Sequence, residues 1–425
     1  MSVIEGEARV KTRSRRVQNW AGGLALATRT AGSFGRIALD AVGEQFGTAL
    51  PRTKKQIACP EAINELVRLY TPPGATPLPR VRDVRLPGVD FESSNCINFL
   101  IELDFECDVD AQGRALPKTA YVKLPCKELS TRSFANTLGF WPLECTICER
   151  VAPHIPIRIP RVYAVAQKGS RFVLLLENLH EIPGARLFLN RDMAAGTDPE
   201  RAARVLRSFA EMHAAFWGWP EAEREKILPG ELNTFTAEHS REMTRTLNAA
   251  AIAPAMRAAP DLLTESVGKT YRRAIERWDA LLDAWYAGPL TLVHGDSHLG
   301  NCFEYPTDEG LHVGLIDFQA AHWSQGMRDV QYFLINSLEP DVLAANEETL
   351  IGHYCNELDR HGVSLSRQDA YEQYVAFSFQ TLMVGVVPLG LGSLTERDST
   401  VRAITRRSAA AVERLGFRDW MESLG

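Results

Sequence analysis

The spacing of apolar residues changes near residue 181, and this change constrains the fold more than any other feature of the sequence. Before it, alternating apolar runs predict strands at 81–89, 96–109, 119–125, 161–167 and 171–179. A predicted helix over about 134–151 separates the third strand from the fourth. After it, helical spacing predominates, as at 199–217, 266–287, 369–387 and 399–415. The sequence therefore predicts an α+β fold with two lobes, a small antiparallel sheet with one helix and a larger α-rich part.

The chain of 425 residues is longer than one ordinary domain of about 100 to 200 residues. We predict an N-terminal helical extension over 1–57, an N-lobe over 58–179 and a C-lobe over 180–425. The extension is predicted from near-helical apolar spacing that several glycines interrupt.

The composition is that of a soluble globular protein, with 45% hydrophobic and 24% charged residues. A net charge of -6 offers no general attraction to nucleic acid. No membrane span or secretory signal is expected. The eight cysteines are expected to be reduced thiols, which favours a cytoplasmic location. Cys145 and Cys148 have metal-ligand spacing without a second pair nearby, so we expect them to serve packing.

Polar residues cluster at 294–301, in the segment HGDSHLGN, and again where an apolar run ends in IDF. The first segment places Asp296 and Asn301 on one loop, and the second places Asp317 at the end of a predicted strand. Two carboxylates and an amide suit phosphoryl transfer, in which one carboxylate orients the attacking hydroxyl and the other groups hold Mg²⁺ on the nucleotide phosphates.

Two other interpretations of these residues compete with this one. Aspartate, asparagine and glycine are common in turns, so the segment can be an ordinary polar loop. His294, Asp296 and His298 also form an HxDxH cluster, which suits a metal-dependent hydrolase. The hydrolase interpretation does not account for Asn301 or Asp317.

Both segments resemble those of the aminoglycoside phosphotransferase and choline kinase superfamily, particularly its ecdysteroid-kinase-like branch. This resemblance implies a protein-kinase-like fold and an ATP- and Mg²⁺-dependent small-molecule kinase. It also implies that Asp296 is the catalytic base and that Asn301 and Asp317 are the magnesium ligands.

The predicted N-lobe supplies matching nucleotide-binding positions. Lys123 lies late in a predicted strand, where its ammonium can reach the α and β phosphates, and Glu144 on the following helix can pair with it. Glu149 lies on the same helix and is a competing partner. The strand ending in Glu177, Asn178 and Leu179 resembles the hinge, whose backbone binds adenine.

The loop that covers the phosphates is expected to consist of Asp90, Phe91, Glu92, Ser93, Ser94 and Asn95. It has no GxGxxG sequence, which departs from the protein-kinase pattern. We expect Ser93, Ser94 and Asn95 to donate hydrogen bonds to phosphate instead.

Two further residues near the motifs have predicted roles. Asp329 is expected to cap the start of a helix, although in the family a matching aspartate braces the catalytic loop. His213 is expected to be buried and hydrogen-bonded rather than a ligand.

The predicted activity is phosphorylation of a small-molecule hydroxyl. The acceptor pocket is expected in the C-lobe, with the segment Leu228 to Thr270 as part of it. Because acidic clusters are scarce after residue 230, a neutral or hydrophobic alcohol, such as a steroid-like alcohol or a hydroxyacyl thioester, is favoured over a polycationic antibiotic. A nucleotide-binding pseudokinase or scaffold is the alternative.

Overall fold

The computed structural model describes residues 27–44, 49–91, 96–233, 236–392 and 399–424. The fold is α+β, protein-kinase-like and two-lobed, as predicted. An antiparallel sheet with its helices precedes a larger part in which helices predominate.

The N-lobe is built on one antiparallel sheet. Its strands are β1 (Val81–Arg85), β2 (Asp90–Phe91), β3 (Cys96–Phe105), β4 (Thr119–Pro125), β5 (Val162–Lys168) and β6 (Arg171–Glu177). The hydrogen-bonded order is β1-β3-β4-β6-β5, and β2 also pairs with β3. The expectation of a loop at Asp90 and Phe91 is wrong, because these residues pair with Phe99 and Asn98 of β3.

Helices cover both faces of this sheet. Val122 and Leu124 of β4 belong to the core formed with α2 (Lys54–Ile57) and α3 (Pro60–Tyr70). The opposite face packs against α4 (Leu129–Leu138) and α5 (Phe140–Thr146). Side chains alternate between the faces of a strand, so Lys123 points from β4 towards α5.

The helix predicted over 134–151 is divided into parts. Gly139, with a φ of 78°, separates α4 from α5, and a π-helical turn over Ile147–Val151 follows α5. Cys145 and Cys148 pack in or against the core beneath α5, and all eight cysteines are free thiols. These two cysteines therefore have the packing environment that we expected.

The described part of the predicted extension contacts the N-lobe. Residues 27–44 form α1, in which the Asp40 carboxylate accepts a hydrogen bond of 2.7 Å from the backbone N–H of Ser170. Glu44 pairs with the buried Arg171 at 2.8 Å. Leu50 and Ile57 belong to the N-lobe core.

The C-lobe contains ten helices among the described residues beyond α6 (Asn190–Ala195), together with short strands. The helices are α7 (Pro199–Phe216), α8 (Glu221–Ile227), α9 (Glu238–Ala258), α10 (Glu265–Glu276), α11 (Trp278–Trp285), α12 (Met327–Ser337), α13 (Pro340–Arg360), α14 (Arg367–Leu391), α15 (Ser399–Arg414) and α16 (Phe417–Ser423). The strands are β7 (Arg186–Leu187), β8 (Thr291–Val293), β9 (Cys302–Thr307), β10 (Gly310–Leu315) and β11 (His322–Ser324). The single helix predicted over 266–287 is thus two helices, which meet at Arg277.

Helix α14 forms the centre of the C-lobe. It is the one helix in the described ranges with the length and apolar content of a membrane span, yet 72% of its most apolar window is buried inside the molecule. Phe377 and Phe379 stack on Trp285 of α11. These contacts are those of a core helix in a globular protein.

Candidate functional site

A tight loop between β8 and the β9–β10 hairpin carries the HGDSHLGN segment. Gly295 has a φ of 79°, and a Cβ atom there would lie 2.1 Å from the carbonyl oxygen of Ala320. Both a left-handed backbone and a close backbone approach therefore require glycine at this position. His294 closes the loop from the other side, because its Nε2 bonds to the Ile316 carbonyl at 2.8 Å.

Asp329 holds this loop from α12. Its carboxylate accepts hydrogen bonds from the backbone N–H groups of His294 at 2.6 Å and Gly295 at 2.9 Å, and it contacts Nε2 of His213 at 3.2 Å. The prediction that Asp329 caps the helix is wrong, because Gly326 is the N-cap and the carboxylate faces the loop. Asp329 therefore braces the loop of His294 and Gly295, which is the role expected from the resemblance to the family.

The electrostatics of Asp329 follow from its burial. Burial raises the pKa of Asp329, but hydrogen bonding and charge interaction with His213 outweigh it and hold the pKa far below its usual range. His213 is itself fully buried and also bonds to Tyr354 at 2.8 Å. The prediction that His213 is a buried, hydrogen-bonded residue is confirmed.

Asp296 lies on the loop with both carboxylate oxygens positioned by neighbours. The Tyr332 hydroxyl donates to Oδ1 at 2.8 Å, and Asn301 Nδ2 donates to Oδ2 at 3.3 Å. Burial raises the pKa of Asp296, but the charge of His298 and the hydrogen bond from Tyr332 outweigh it, so the pKa lies below its usual value. Asp296 is therefore ionised and held in one orientation at neutral pH.

Asn301 and Asp317 are adjacent because β9 and β10 form a hairpin. Leu315 pairs with Cys302, and the N–H of Ile316 donates to the Asn301 carbonyl at 3.0 Å. Asp317 follows immediately, with a φ of 63°, and it is the one non-glycine residue with positive φ among the described residues. Such strained backbone positions are frequent at functional sites.

The oxygen atoms of these two side chains suit Mg²⁺. The amide of Asn301 donates from Nδ2 to the Asp296 backbone carbonyl at 2.8 Å, which directs its Oδ1 away from the loop. Asp317 is 30% exposed, and one of its carboxylate oxygens contacts Lys123. Within the described residues, Asn301 Oδ1 and Asp317 Oδ2 form no hydrogen bond. Two such oxygens, with water and phosphate, match the hard oxygen ligands that Mg²⁺ prefers.

Lys123 links the two lobes at this point. Its Nζ lies 2.7 Å from Glu144 Oε1 and 3.1 Å from Asp317 Oδ1. Burial lowers the pKa of Lys123, but the carboxylates of Asp317 and Glu144 outweigh it and raise that pKa well above its usual value. Burial raises the pKa of Glu144 above its usual value, while the charge of Lys123 opposes this shift. Glu149 is half exposed and pairs loosely with its neighbour Arg150 instead.

The side chains of Glu177 and Asn178, in the predicted hinge, form hydrogen bonds with other residues of the chain. Glu177 accepts hydrogen bonds of 2.6 Å from Arg158 at both carboxylate oxygens. Asn178 Oδ1 accepts from the N–H of His180 and begins a short 3-10 turn over Leu179–Glu181. Recognition of adenine by the backbone of Glu177, Asn178 and Leu179 remains a prediction.

The phosphate-covering loop falls outside the described ranges. Ser93, Ser94 and Asn95 lie between residues 91 and 96, so their predicted contacts with phosphate stay predictions.

The HxDxH cluster does not have the geometry of a metal centre. Among the described residues, no three His, Cys, Asp or Glu side chains are placed to hold a metal ion. His294 Nε2 forms a hydrogen bond with the carbonyl oxygen of Ile316, and its Nδ1 accepts a hydrogen bond of 3.3 Å from the N–H of Asp296. The hydrolase interpretation therefore loses its structural basis.

Two residues of the site were missed in the sequence. Tyr332 contacts Asp296, and Arg328 donates from Nη2 to the Gly295 carbonyl at 3.0 Å. Both residues lie on α12, which also carries Asp329, and they are one helical turn apart. This spacing is the feature of the sequence that could have indicated them.

Comparison with models of known protein families identifies the family of this chain. The model of the ecdysteroid kinase-like family matches residues 96–366, which is more than half of the 425 residues. The chain belongs to the ecdysteroid kinase-like family. By this membership the protein is a small-molecule kinase, as predicted.

Solved structures similar to this ecdysteroid kinase-like protein include three small-molecule kinases. An ethanolamine kinase from Plasmodium vivax is 12% identical, with a TM-score of 0.44, and the match covers 79% of this chain and 83% of that chain. A choline kinase from Cryptosporidium parvum is 11% identical, with a TM-score of 0.46 and coverage of 79% and 90%. The GDP complex of an aminoglycoside 2′-phosphotransferase is 14% identical, with a TM-score of 0.42 and coverage of 79% and 94%. No curated protein sequence matches.

Proposed function

We propose that this protein transfers the γ-phosphate of ATP, with Mg²⁺, to a hydroxyl group of a small neutral or hydrophobic alcohol. The observation that carries the proposal is the contact of 3.1 Å between Lys123 of the N-lobe and Asp317 of the C-lobe. It brings an ammonium group suited to phosphate and a carboxylate suited to Mg²⁺ to one point, beside the loop of Asp296.

Each residue has a defined part in this proposal. Lys123, oriented by Glu144, donates hydrogen bonds to the α and β phosphates. Asn301 and Asp317 hold Mg²⁺, which when bound neutralises charge on the β and γ phosphates. Asp296 accepts the proton of the acceptor hydroxyl as the hydroxyl oxygen forms its bond to the γ-phosphorus and the bond to the ADP oxygen breaks.

The ionisation and orientation of Asp296 support its role as base. Its carboxylate is charged at neutral pH, and hydrogen bonds from Tyr332 and Asn301 fix its position. A carboxylate in this state accepts a hydrogen bond from an alcohol and then its proton, without first losing a proton of its own.

The proposal is tested by a screen of hydroxylated metabolites with Mg²⁺ and ATP, in which phosphorylated product is detected by mass spectrometry. We expect at least one neutral alcohol to yield product, and chelation of Mg²⁺ to abolish it. Asp296→Ala should remove turnover but retain nucleotide binding. Asp359→Ala, an exposed position on α13, is the matched control and should remain active. Binding of nucleotide without any turnover would favour the scaffold alternative.

A further inference from the structure

One side of helix α1 is apolar and exposed. Phe34, Leu39 and Val42 are 45%, 72% and 53% exposed, and the smaller side chains of Ala31 and Ala38 are exposed as well. With 3.6 residues per helical turn, these five side chains lie within less than half of the helix circumference. No charged residue of the described range 27–44 projects from that side. We call these five residues the apolar face of α1.

The side of α1 that contacts the N-lobe is polar. Ser33 Oγ donates to the carbonyl of Ser133 in α4 at 3.1 Å, and the Asp40 carboxylate accepts from the N–H of Ser170 at 2.7 Å. Glu44 pairs with a buried arginine of β6. A surface helix normally has the reverse arrangement, with its apolar side towards the core and its polar side towards water. The apolar face therefore suits contact with a surface outside the fold.

The apolar face is small for a protein partner. It runs from Ala31 to Val42, so it is about 18 Å long and about 10 Å wide and covers about 200 Å². A stable protein interface buries about 800 Å² on each partner. A second copy of the chain would also bring two N-terminal segments of the same charge together, which disfavours pairing. A lipid surface has neither requirement, because side chains insert into it individually.

The charge of the N-terminal sequence favours an anionic lipid surface. Residues 1–26 contain five basic residues and two acidic ones, a net charge of +3 in a chain whose net charge is -6. The basic residues are Arg9, Lys11, Arg13, Arg15 and Arg16. Within α1, Arg36 is exposed at the border of the apolar face. Basic residues beside an apolar helix face are typical of helices that lie on anionic membranes.

We propose that the apolar face of α1 docks this protein on an anionic lipid surface. Phe34, Leu39 and Val42 insert at the boundary between headgroups and acyl chains, and Arg36 with the basic N-terminal residues contacts the anionic headgroups. Docking of this kind requires no membrane span. The inference does not rest on the proposed function, because neither nucleotide nor acceptor takes part in it.

Binding of the full chain to lipid vesicles tests the proposal. Co-sedimentation compares vesicles of phosphatidylcholine alone with vesicles that also contain about 30% phosphatidylserine. We expect the anionic vesicles to bind about tenfold or more tightly, and we expect this preference to disappear at about 0.5 M salt, which screens the charges. Hydrogen exchange over 27–44 should slow on the anionic vesicles, while that of α3 stays unchanged. Equal affinities for the two kinds of vesicle would overturn the proposal.

A triple variant assigns the binding to the apolar face. Phe34→Ser, Leu39→Ser and Val42→Ser together should weaken binding to the anionic vesicles by about tenfold or more. Because all three side chains are exposed, the melting temperature should stay close to that of the wild type. Wild-type affinity in the triple variant would overturn the proposal. If its melting temperature falls, Leu39→Ser alone decides, because Leu39 is the most exposed of the three: weaker binding supports the proposal, and unchanged binding overturns it.

A control variant separates the apolar face from general surface hydrophobicity. It combines Leu69→Ser, Leu189→Ser and Leu311→Ser, at leucines outside α1 that are 49%, 47% and 45% exposed. This control should bind the anionic vesicles as the wild type does. A loss equal to that of the α1 variant would overturn the role of the apolar face.

Two further measurements test the nature of the docked surface. Arg13→Ser, Arg15→Ser and Arg16→Ser together should reduce the affinity for anionic vesicles and leave that for phosphatidylcholine unchanged; an undiminished preference would overturn the role of the N-terminal charge. Analytical ultracentrifugation tests self-association. A dimer that the α1 variant dissociates, in a protein that does not bind vesicles, would show that a second copy covers the face and would overturn the proposal.

Discussion

The buried ion pair between Lys123 and Glu144 gives the sharpest test of the N-lobe part of the site. The two side chains are each 5% exposed and lie 2.7 Å apart. The perturbation is a double-mutant cycle of Lys123→Met, Glu144→Leu and the combination of both. Lys123→Met leaves Glu144 buried without its cation, and Glu144→Leu leaves Lys123 paired with Asp317 alone. The double substitution removes both members of the buried pair together.

The expected magnitudes follow from the third member of this cluster. Removal of one partner of a buried pair costs about 3–5 kcal/mol of unfolding free energy. In Glu144→Leu, Lys123 keeps the contact of 3.1 Å with Asp317, so we expect a loss of about 3 kcal/mol. In Lys123→Met, two carboxylates lose their shared cation, so we expect about 5 kcal/mol. The double variant should lose far less than the sum, since apolar replacement of a whole pair is often nearly neutral.

The assay is guanidinium unfolding, combined with hydrogen exchange of the backbone over Phe140–Thr146, which reports on α5 separately from the C-lobe. Glu149→Leu is the matched control, because Glu149 is 49% exposed in the helical turn that follows α5. We expect the stability of this control to change by less than about 0.5 kcal/mol. Additive losses in the double variant, or equal losses for Glu149→Leu and Glu144→Leu, would refute the reasoning.

Three further predictions concern the loop and the metal ligands. Asp329→Asn should lower the unfolding free energy at pH 7 by about 2–4 kcal/mol, because the neutral amide cannot accept from both His294 and Gly295. The folded-state pKa of Asp329 is depressed, so its stabilisation of the fold is present above the unfolded pKa of about 4 and is lost as the pH falls below that value. In a series of unfolding curves at decreasing pH, the unfolding free energy of Asp329→Asn should therefore fall less steeply in acid than that of the wild type. Gly295→Ala should reduce the melting temperature and turnover, since its Cβ would meet the Ala320 carbonyl; unchanged turnover would contradict the account of the loop. Asp317→Asn should weaken Mg²⁺-dependent nucleotide binding by about tenfold or more, measured by calorimetry with and without Mg²⁺.

The sequence predicted those parts of the site that follow from local pattern. Lys123 lies between Val122 and Leu124 of a strand whose alternation is evident, so its placement on the face opposite to theirs could be anticipated. Asn301 and Asp317 each adjoin an apolar strand, and the hairpin between them brings the two together. Local periodicity was therefore enough to predict where Lys123, Asn301 and Asp317 lie in the fold.

Other parts depend on packing between distant segments. Asp329 has the position expected of a helix cap in the sequence, yet its carboxylate bonds to a loop more than thirty residues earlier in the chain. Tyr332 and Arg328 acquire their roles from the same packing of α12 against that loop. The strand at Asp90 and Phe91 is too short for a periodic signal, and it exists because β3 provides hydrogen-bonding partners.

The central claim, that Asp296 is the base of a phosphoryl transfer, is tested most directly by a single-turnover measurement. Wild-type protein, Asp296→Asn and the exposed control Asp359→Asn are each mixed with Mg²⁺, labelled ATP and an acceptor from the metabolite screen. We expect Asp296→Asn to slow formation of phosphorylated acceptor by about 10²–10⁴-fold, with nucleotide affinity retained and Asp359→Asn equal to wild type. A transfer rate for Asp296→Asn equal to that of the wild type would contradict the account.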